Sequence, residues 1–300
     1  GTLFDGAGAT ISRWGFNSKD PEAYAAGETA ALPTGEALTV TETGAFTLSS
    51  TQTMADLRMP RVFATASTPP QFTLNNYDTV LFKPAPGQSV GKAFLNTLTV
   101  SIPATIIPIL IAAFAAYALA WMEFPGRALL VAAVVGLLVV PLQLALIPLL
   151  QFHNMIGIGK GYLGVWLAHT GFGLPLAIYL LRNYMAGLPR DIIENAKVDG
   201  ATDFQIFTKI ILPLSFPALA SFAIFQFLWT WNDLLVAMVF LGTTEDQMVL
   251  TGTLLNLMGS RGGDWEILSA SAFISIAVPL AVFFAMQKYL VRGLLAGSVK

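Results

Sequence analysis

Five long apolar stretches, at about 95–121, 128–150, 162–181, 211–241 and 267–290, decide most of what this chain can become. Each is long enough for a helix to cross hydrocarbon, which takes roughly 20 residues for about 30 Å. The windows 98–120, 128–150 and 267–287 contain no Asp, Glu, Lys or Arg. Backbone in lipid must satisfy its own hydrogen bonds, so such runs become helices. Proline recurs inside them, at Pro103, Pro108, Pro141, Pro148, Pro175, Pro217 and Pro279. Neighbouring helices can satisfy the carbonyls that proline frees, so kinked, cavity-lining helices are expected. The expected fold class is therefore an all-α polytopic membrane protein with five visible transmembrane helices in residues 95–300.

Residues 1–94 are different in kind, a polar segment rich in Thr, Ala, Gly and Pro. Within it, "LTVTETGAFTLSS" (38–50) alternates and turns at Thr-Gly, so it reads as a short hairpin. Lys and Arg set the orientation of the spans. With 1–94 outside, half of the 16 Lys and Arg residues fall in the shorter inner segments 122–127, 182–210 and 288–300. That bias puts the N-terminal segment outside and the C-terminus in the cytoplasm. An outer segment that size needs a preceding helix to export it, so a sixth span is expected upstream of Gly1. The net charge of -2 is spread along the chain, which gives nucleic acid no basic surface to bind. The absence of cysteine excludes disulfides, thiol chemistry and Cys-based zinc sites.

One inner segment, "GLPRDIIENAKVDGATDFQIFTKIILP" (187–213), is charged and amphipathic where its flanks are apolar. Pro189 suits a first helical position, and Asp191 and Glu194 favour the positive end of the helix that follows. Gly200 is the expected stop, and Thr202 with Gln205 reads as a capping box that opens a second helix. Phe204, Phe207 and Ile211 share one stripe of that second helix by spacing. The expected product is a helix–Gly–helix bracket on the cytoplasmic side. A helix lying on lipid carries an excess of Lys and Arg. From Arg182 to Lys209 acids equal bases, and Ile192, Ile193, Phe204 and Phe207 sit on a water-facing segment. Both features fit docking to another protein.

Glu194-Asn195-Ala196, three residues, Gly200, nine residues, Ile210, one residue and Leu212-Pro213 resemble the EAA motif of bacterial ABC importer permeases. Asn195 departs from the Ala usual there. "FTLNNYDTVL", "GFGLPLAIYLLRNYMAGLP" and "YLVRGLLAGSVK" extend the resemblance over about 70–300, to carbohydrate uptake permeases of the maltose and α-glucoside type. The resemblance implies a type I permease fold with six helices per subunit, in the bacterial cytoplasmic membrane. Its implied partners are a second permease, two cytoplasmic ATPase subunits, an extracytoplasmic solute-binding protein and a sugar, an α-glucoside or other oligosaccharide. No cofactor is expected in this chain, with ATP and Mg on the partner ATPase. Glu194, Asn195, Ala196, Asp199, Gly200, Ala201, Phe204, Leu212 and Pro213 would form the ATPase-coupling element. The tail 293–300 would reach between the ATPase subunits.

The chain holds no P-loop: "GIGKGY" (157–162) lacks both the spacing and the hydroxyl. With His153 and His169 its only histidines, no catalytic triad or metal motif is present in the sequence. Polar groups inside spans are costly unless they line a cavity or meet a partner. Trp229, Trp231, Asn232 and Asp233 combine flat apolar faces with hydrogen-bonding groups and are candidates for a sugar pathway, an interfacial Trp belt being the plainer reading. His169, Gln143 and Asn96 are expected in interhelical hydrogen bonds. Arg182 and Glu123 sit at span ends. Arg261, Gly262, Gly263 and Asp264, in the outer loop 242–266, are candidates for contact with the binding protein or a plain solvated loop. An ion-coupled secondary transporter would place paired ionisable groups near mid-membrane, and a non-transporting assembly subunit would have no use for the motif.

Overall fold

A computed structural model describes residues 2–3, 9–20, 22–32, 35–50, 61–67, 72–83, 89–260 and 265–295, with side chains at 259–260 and 290–295 left aside. The chain divides into two compact units, Gly1–Thr73 and Leu74–Lys300.

Among its described residues the first unit holds six short strands in two antiparallel sheets, ordered β2-β1-β6 and β3-β4-β5. The first sheet is formed by β1 (Thr10–Gly15), β2 (Tyr24–Ala25) and β6 (Phe63–Ser67), the second by β3 (Thr29–Ala31), β4 (Ala37–Val40) and β5 (Phe46–Ser49). Period-two alternation buries Leu38 and Val40 beside Ala30, Ile11 and Trp14. The expected hairpin is β4–β5, with Val40 opposite Phe46 and Gly44 at φ +80° in the turn. Residues 75–82, grouped by polarity with the outer segment, form the short helix α1 (Asn75–Phe82) of the second unit.

The second unit is helical. Three of its helices are long and apolar enough to cross a membrane, α2 (Val90–Trp121), α5 (Tyr162–Ala186) and α12 (Trp265–Leu295), the last over Trp265–Tyr289. Two further crossings exist if each bent pair counts as one. The stretch expected as one kinked span at 128–150 is such a pair: α3 (Arg127–Leu137) and α4 (Leu142–Met155) meet at 109°. Pro141 has no N–H and disfavours helix at Val140, so α3 ends and α4 starts afresh. The stretch 211–241 is likewise broken. Asp203–Leu214 bends by 69° into α9 (Phe216–Trp231). A short helix α10 (Leu235–Phe240) follows, then α11 (Leu250–Ser260).

The kinked spans are stitched through the acceptors that proline leaves open. Pro103 frees the carbonyl of Thr99, which accepts from Trp166 Nε1 at 2.9 Å. Pro108 frees that of Ala104, which accepts from Gln226 Nε2 at 3.1 Å. Pro279 frees that of Ser275, which accepts from Trp231 Nε1 at 3.0 Å. Each donor comes from another helix, as the physics of proline in lipid requires.

Candidate functional site

The charged segment folds into the bracket its sequence describes. α6 (Arg190–Val198) follows Pro189, which lies just outside the helix rather than at its first position. At its other end Gly200 takes φ +79°. Its N–H donates to Lys197 O at 3.0 Å, and Ala201 N–H reaches back to Ala196 O at 3.0 Å. Those two bonds are the 5→2 and 6→1 pair of a Schellman ending, which needs a left-handed residue where Gly200 stands. Ala196 and Ala201, brought together by that bond, both pack on the core beneath.

Two residues on, Thr202 opens α7 (Asp203–Ile206) with a reciprocal cap. Gln205 N–H donates to Thr202 Oγ1 at 3.3 Å, and Thr202 N–H to Gln205 Oε1 at 2.9 Å. A π turn over Phe207–Ile211 joins α7 to α8 (Leu212–Leu214). Here the expected stripe divides: Ile206, Phe207 and Ile211 are buried, whereas Phe204 is 66% exposed. Phe204 stands in the first turn of α7, before the π turn, and points away from the cluster that holds Phe207 and Ile211.

The inner side of the bracket is anchored firmly. Ile193, Ile206, Phe207 and Ile211 share one apolar cluster with Tyr117 of α2, Leu181 and Met185 of α5, and Phe222 of α9. Tyr117 donates its hydroxyl to Asp203 Oδ1 at 3.2 Å, Lys197 Nζ faces the same oxygen at 4.0 Å, and Trp121 Nε1 donates to Met185 O at 3.0 Å. The outer side presents Glu194, Asn195, Asp199 and Gly200, all exposed, with Val198 at 86% and Phe204 beside them. Leu212 is half-buried and Pro213 exposed, at the approach to the bend into α9. A rigidly seated base with an acidic and apolar outer rim can be gripped and moved without unfolding.

The second group of candidates lies where α9 ends. Asp233 accepts from the N–H groups of Val236 at 3.3 Å and Ala237 at 3.0 Å, capping α10, while its own carbonyl accepts from Thr251 Oγ1 at 2.8 Å. Asn232 is exposed and its Nδ2 donates to Leu228 O at 2.8 Å. Trp229 is partly exposed and meets His169 edge to face at 6.2 Å. Trp231 is fully buried, with its ring against Phe94 and Phe227, so its face is taken up inside the fold. Among the described residues His169, expected in an interhelical hydrogen bond, makes none; its Nε2 stands 3.7 Å from Asp233 Oδ2. Asn96 behaves as expected, accepting from Tyr162 of α5 at 2.8 Å and donating to Asp246 O at 2.9 Å and Met248 O at 3.0 Å. Beside that pinned loop, a cavity of about 160 Å³ lies between Leu234, Met238, Met248, Leu255 and Asn256. Arg261, Gly262, Gly263 and Asp264 lie outside the described residues. Gln226, Trp166 and Gly173 were not singled out by sequence reasoning. The one available signal was the prolines, which mark open acceptors but not the helix that supplies the donor.

Kinked apolar spans carrying an anchored, charged bracket define a multi-pass membrane protein. The chain belongs to the family of binding-protein-dependent transport system inner membrane components, which it matches over residues 93–295. It is 67% identical over 305 residues to the alpha-glucoside transport system permease protein AglG of Rhizobium meliloti (strain 1021), covering 100% of this chain and 79% of that protein. It is 62% identical to the osmoprotective compounds uptake permease protein GgtD of Synechocystis sp. (strain ATCC 27184 / PCC 6803 / Kazusa), over 77% of this chain and 76% of that one. The trehalose transport system permease protein SugB of Mycobacterium tuberculosis (strain CDC 1551 / Oshkosh) is 35% identical, over 77% and 84%. In fold, the chain is similar to a bacterial ABC transporter involved in the import of the acidic polysaccharide alginate, with TM-score 0.62, 21% identity, and 74% and 81% covered. The chain is thus a permease subunit of an ABC importer, with a type I permease fold, and not a catalytic subunit. Membership in the family removes the ion-coupled and assembly-subunit readings.

Proposed function

We propose that this permease takes up an α-glucoside, delivered by an extracytoplasmic solute-binding protein, as half of a pair with a second permease. Two cytoplasmic ATPase subunits hold the ATP and Mg and grip the bracket at Glu194, Asn195, Asp199 and Phe204. The N-terminal unit faces outward and the C-terminus faces the cytoplasm. The observation that carries this reading is the bracket itself, with four buried side chains fixing its inner face and an exposed rim free for a partner. A lever of this kind couples transport only if nucleotide biases two packed positions. On the same reading Trp229, Asn232 and Asp233 border the solute path. Arg261, Gly262, Gly263 and Asp264 stay as proposed contacts for the binding protein. The substrate class is supported by the alpha-glucoside relative at 67% identity.

A second reading, an osmoprotective solute, is favoured by the relative at 62% identity. One experiment separates them. The full complex is reconstituted in lipid and its ATP hydrolysis followed with binding protein charged with maltose or with glycine betaine. Stimulation by maltose alone is expected; stimulation by glycine betaine alone would replace the substrate class. In the same assay Glu194→Lys should insert and assemble yet lose stimulation about tenfold or more, the scale of an ordinary coupling energy. Unchanged stimulation would remove Glu194 from the coupling element.

A further inference from the structure

α9 is the span that continues the bracket, through the bend after Leu214. Two of its side chains end on main-chain oxygens that a proline of another span leaves open. Gln226 Nε2 donates to Ala104 O on α2, where Pro108 lacks the N–H, and Trp231 Nε1 donates to Ser275 O on α12, where Pro279 lacks it. A third bond runs the same way, from Ser221 Oγ on α9 to Tyr289 O on α12 at 2.9 Å. Gln226 is 1% exposed. It reaches Ala104 past Gly173 of α5, where a side chain would stand in the way: a Cβ on Gly173 would lie 2.7 Å from Gln226 Oε1 and 2.8 Å from Nε2. α2, α5 and α9 therefore meet at a single buried polar point.

We propose that Gln226 and Trp231 are positioning residues of the transport cycle, fastening α2 and α12 to α9 so that a displacement delivered at the bracket moves the three kinked spans as one body. Hydrocarbon offers no water to replace a lost partner, so each bond resists breaking. Because each lands on the acceptor at a kink, it also holds the kink's angle rather than only its depth. Gly173 belongs to the same device, as the gap that lets the amide through. The proposal rests on the bracket as the place where the ATPase acts.

The chain has no cysteine, so paired spin labels at Ile106→Cys on α2 and Phe225→Cys on α9, both exposed, report only on these two spans. In the assembled complex in nanodiscs the label distance should be the same in the nucleotide-free and ATP-trapped states. Gln226→Leu should make it differ between states and cut uptake per ATP hydrolysed about tenfold. Gly173→Ala, which removes no polar group and only pushes the amide off its acceptor, should do the same, and carries the test if Gln226→Leu does not assemble. A distance that changes with nucleotide while Gln226 is in place overturns the link, as does a distance unaltered in both variants. Binding-protein stimulation absent from the unsubstituted complex would instead count against the importer reading, so the two failures are told apart.

Discussion

Gly200 shows how much one residue can decide. Its φ of +79° closes the Schellman ending of α6, and a Cβ there would meet nothing within 4 Å. The whole cost of Gly200→Ala is then backbone strain, about 1–2 kcal/mol for an L-residue in the left-handed region. That variant should assemble, with a small drop in melting temperature and reduced stimulation of ATP hydrolysis. Gly200→Pro is different, since proline cannot take that φ and has no N–H for Lys197 O. It should abolish stimulation while the spans still insert. If Gly200→Pro kept full stimulation, the fixed angle of the bracket would be irrelevant to coupling. Gly200 was legible as a stop from residue type alone, and so was the Thr202 cap. The outward direction of Phe204 was not, because a 3.6 repeat places it with Phe207, and which side chains of so short a helix find cover depends on the helices packed beneath it.

At the level of elements, the breaks matter more than the helices. Hydropathy finds apolar runs but averages over three residues, so the interruption between Trp231 and Leu235 vanished into a single expected span. Asn232-Asp233 was the local sign, the end of α9 followed by the acceptor for the first N–H groups of α10, read instead as sugar-binding groups. Asp233 does cap α10, through the N–H groups of Val236 and Ala237. Asp233→Ala should therefore cost about 1 kcal/mol in thermal unfolding of the purified permease. Asp233→Asn, still an acceptor, should cost far less. A different outcome, equal and negligible losses, would mean that the cap is dispensable and would leave Asp233 to the solute path alone. The bend between α3 and α4 has a similar history. Pro141 announced a kink, but its 109° angle depends on where Leu146 and His153 find burial, which is tertiary information.

Taken whole, the molecule is a β unit, Gly1–Thr73, and a helical membrane unit, Leu74–Lys300, which composition alone tells apart in kind though not in exact boundary. Orientation is the property of the whole chain that rests most on charge and least on contact. Half of the Lys and Arg residues lie in the short segments 122–127, 182–210 and 288–300, and the proposal of a cytoplasmic bracket and outward strands rests on that bias. The cysteine-free background makes this directly measurable. Thr43→Cys, exposed in the β4–β5 turn, should react with a membrane-impermeant maleimide in intact cells with a permeable outer envelope. Asn195→Cys, exposed on the bracket, should react only after the membrane is opened. Labelling of Asn195→Cys from outside would invert the topology, and with it every partner assigned to the bracket, because an ATPase has no ATP on that side.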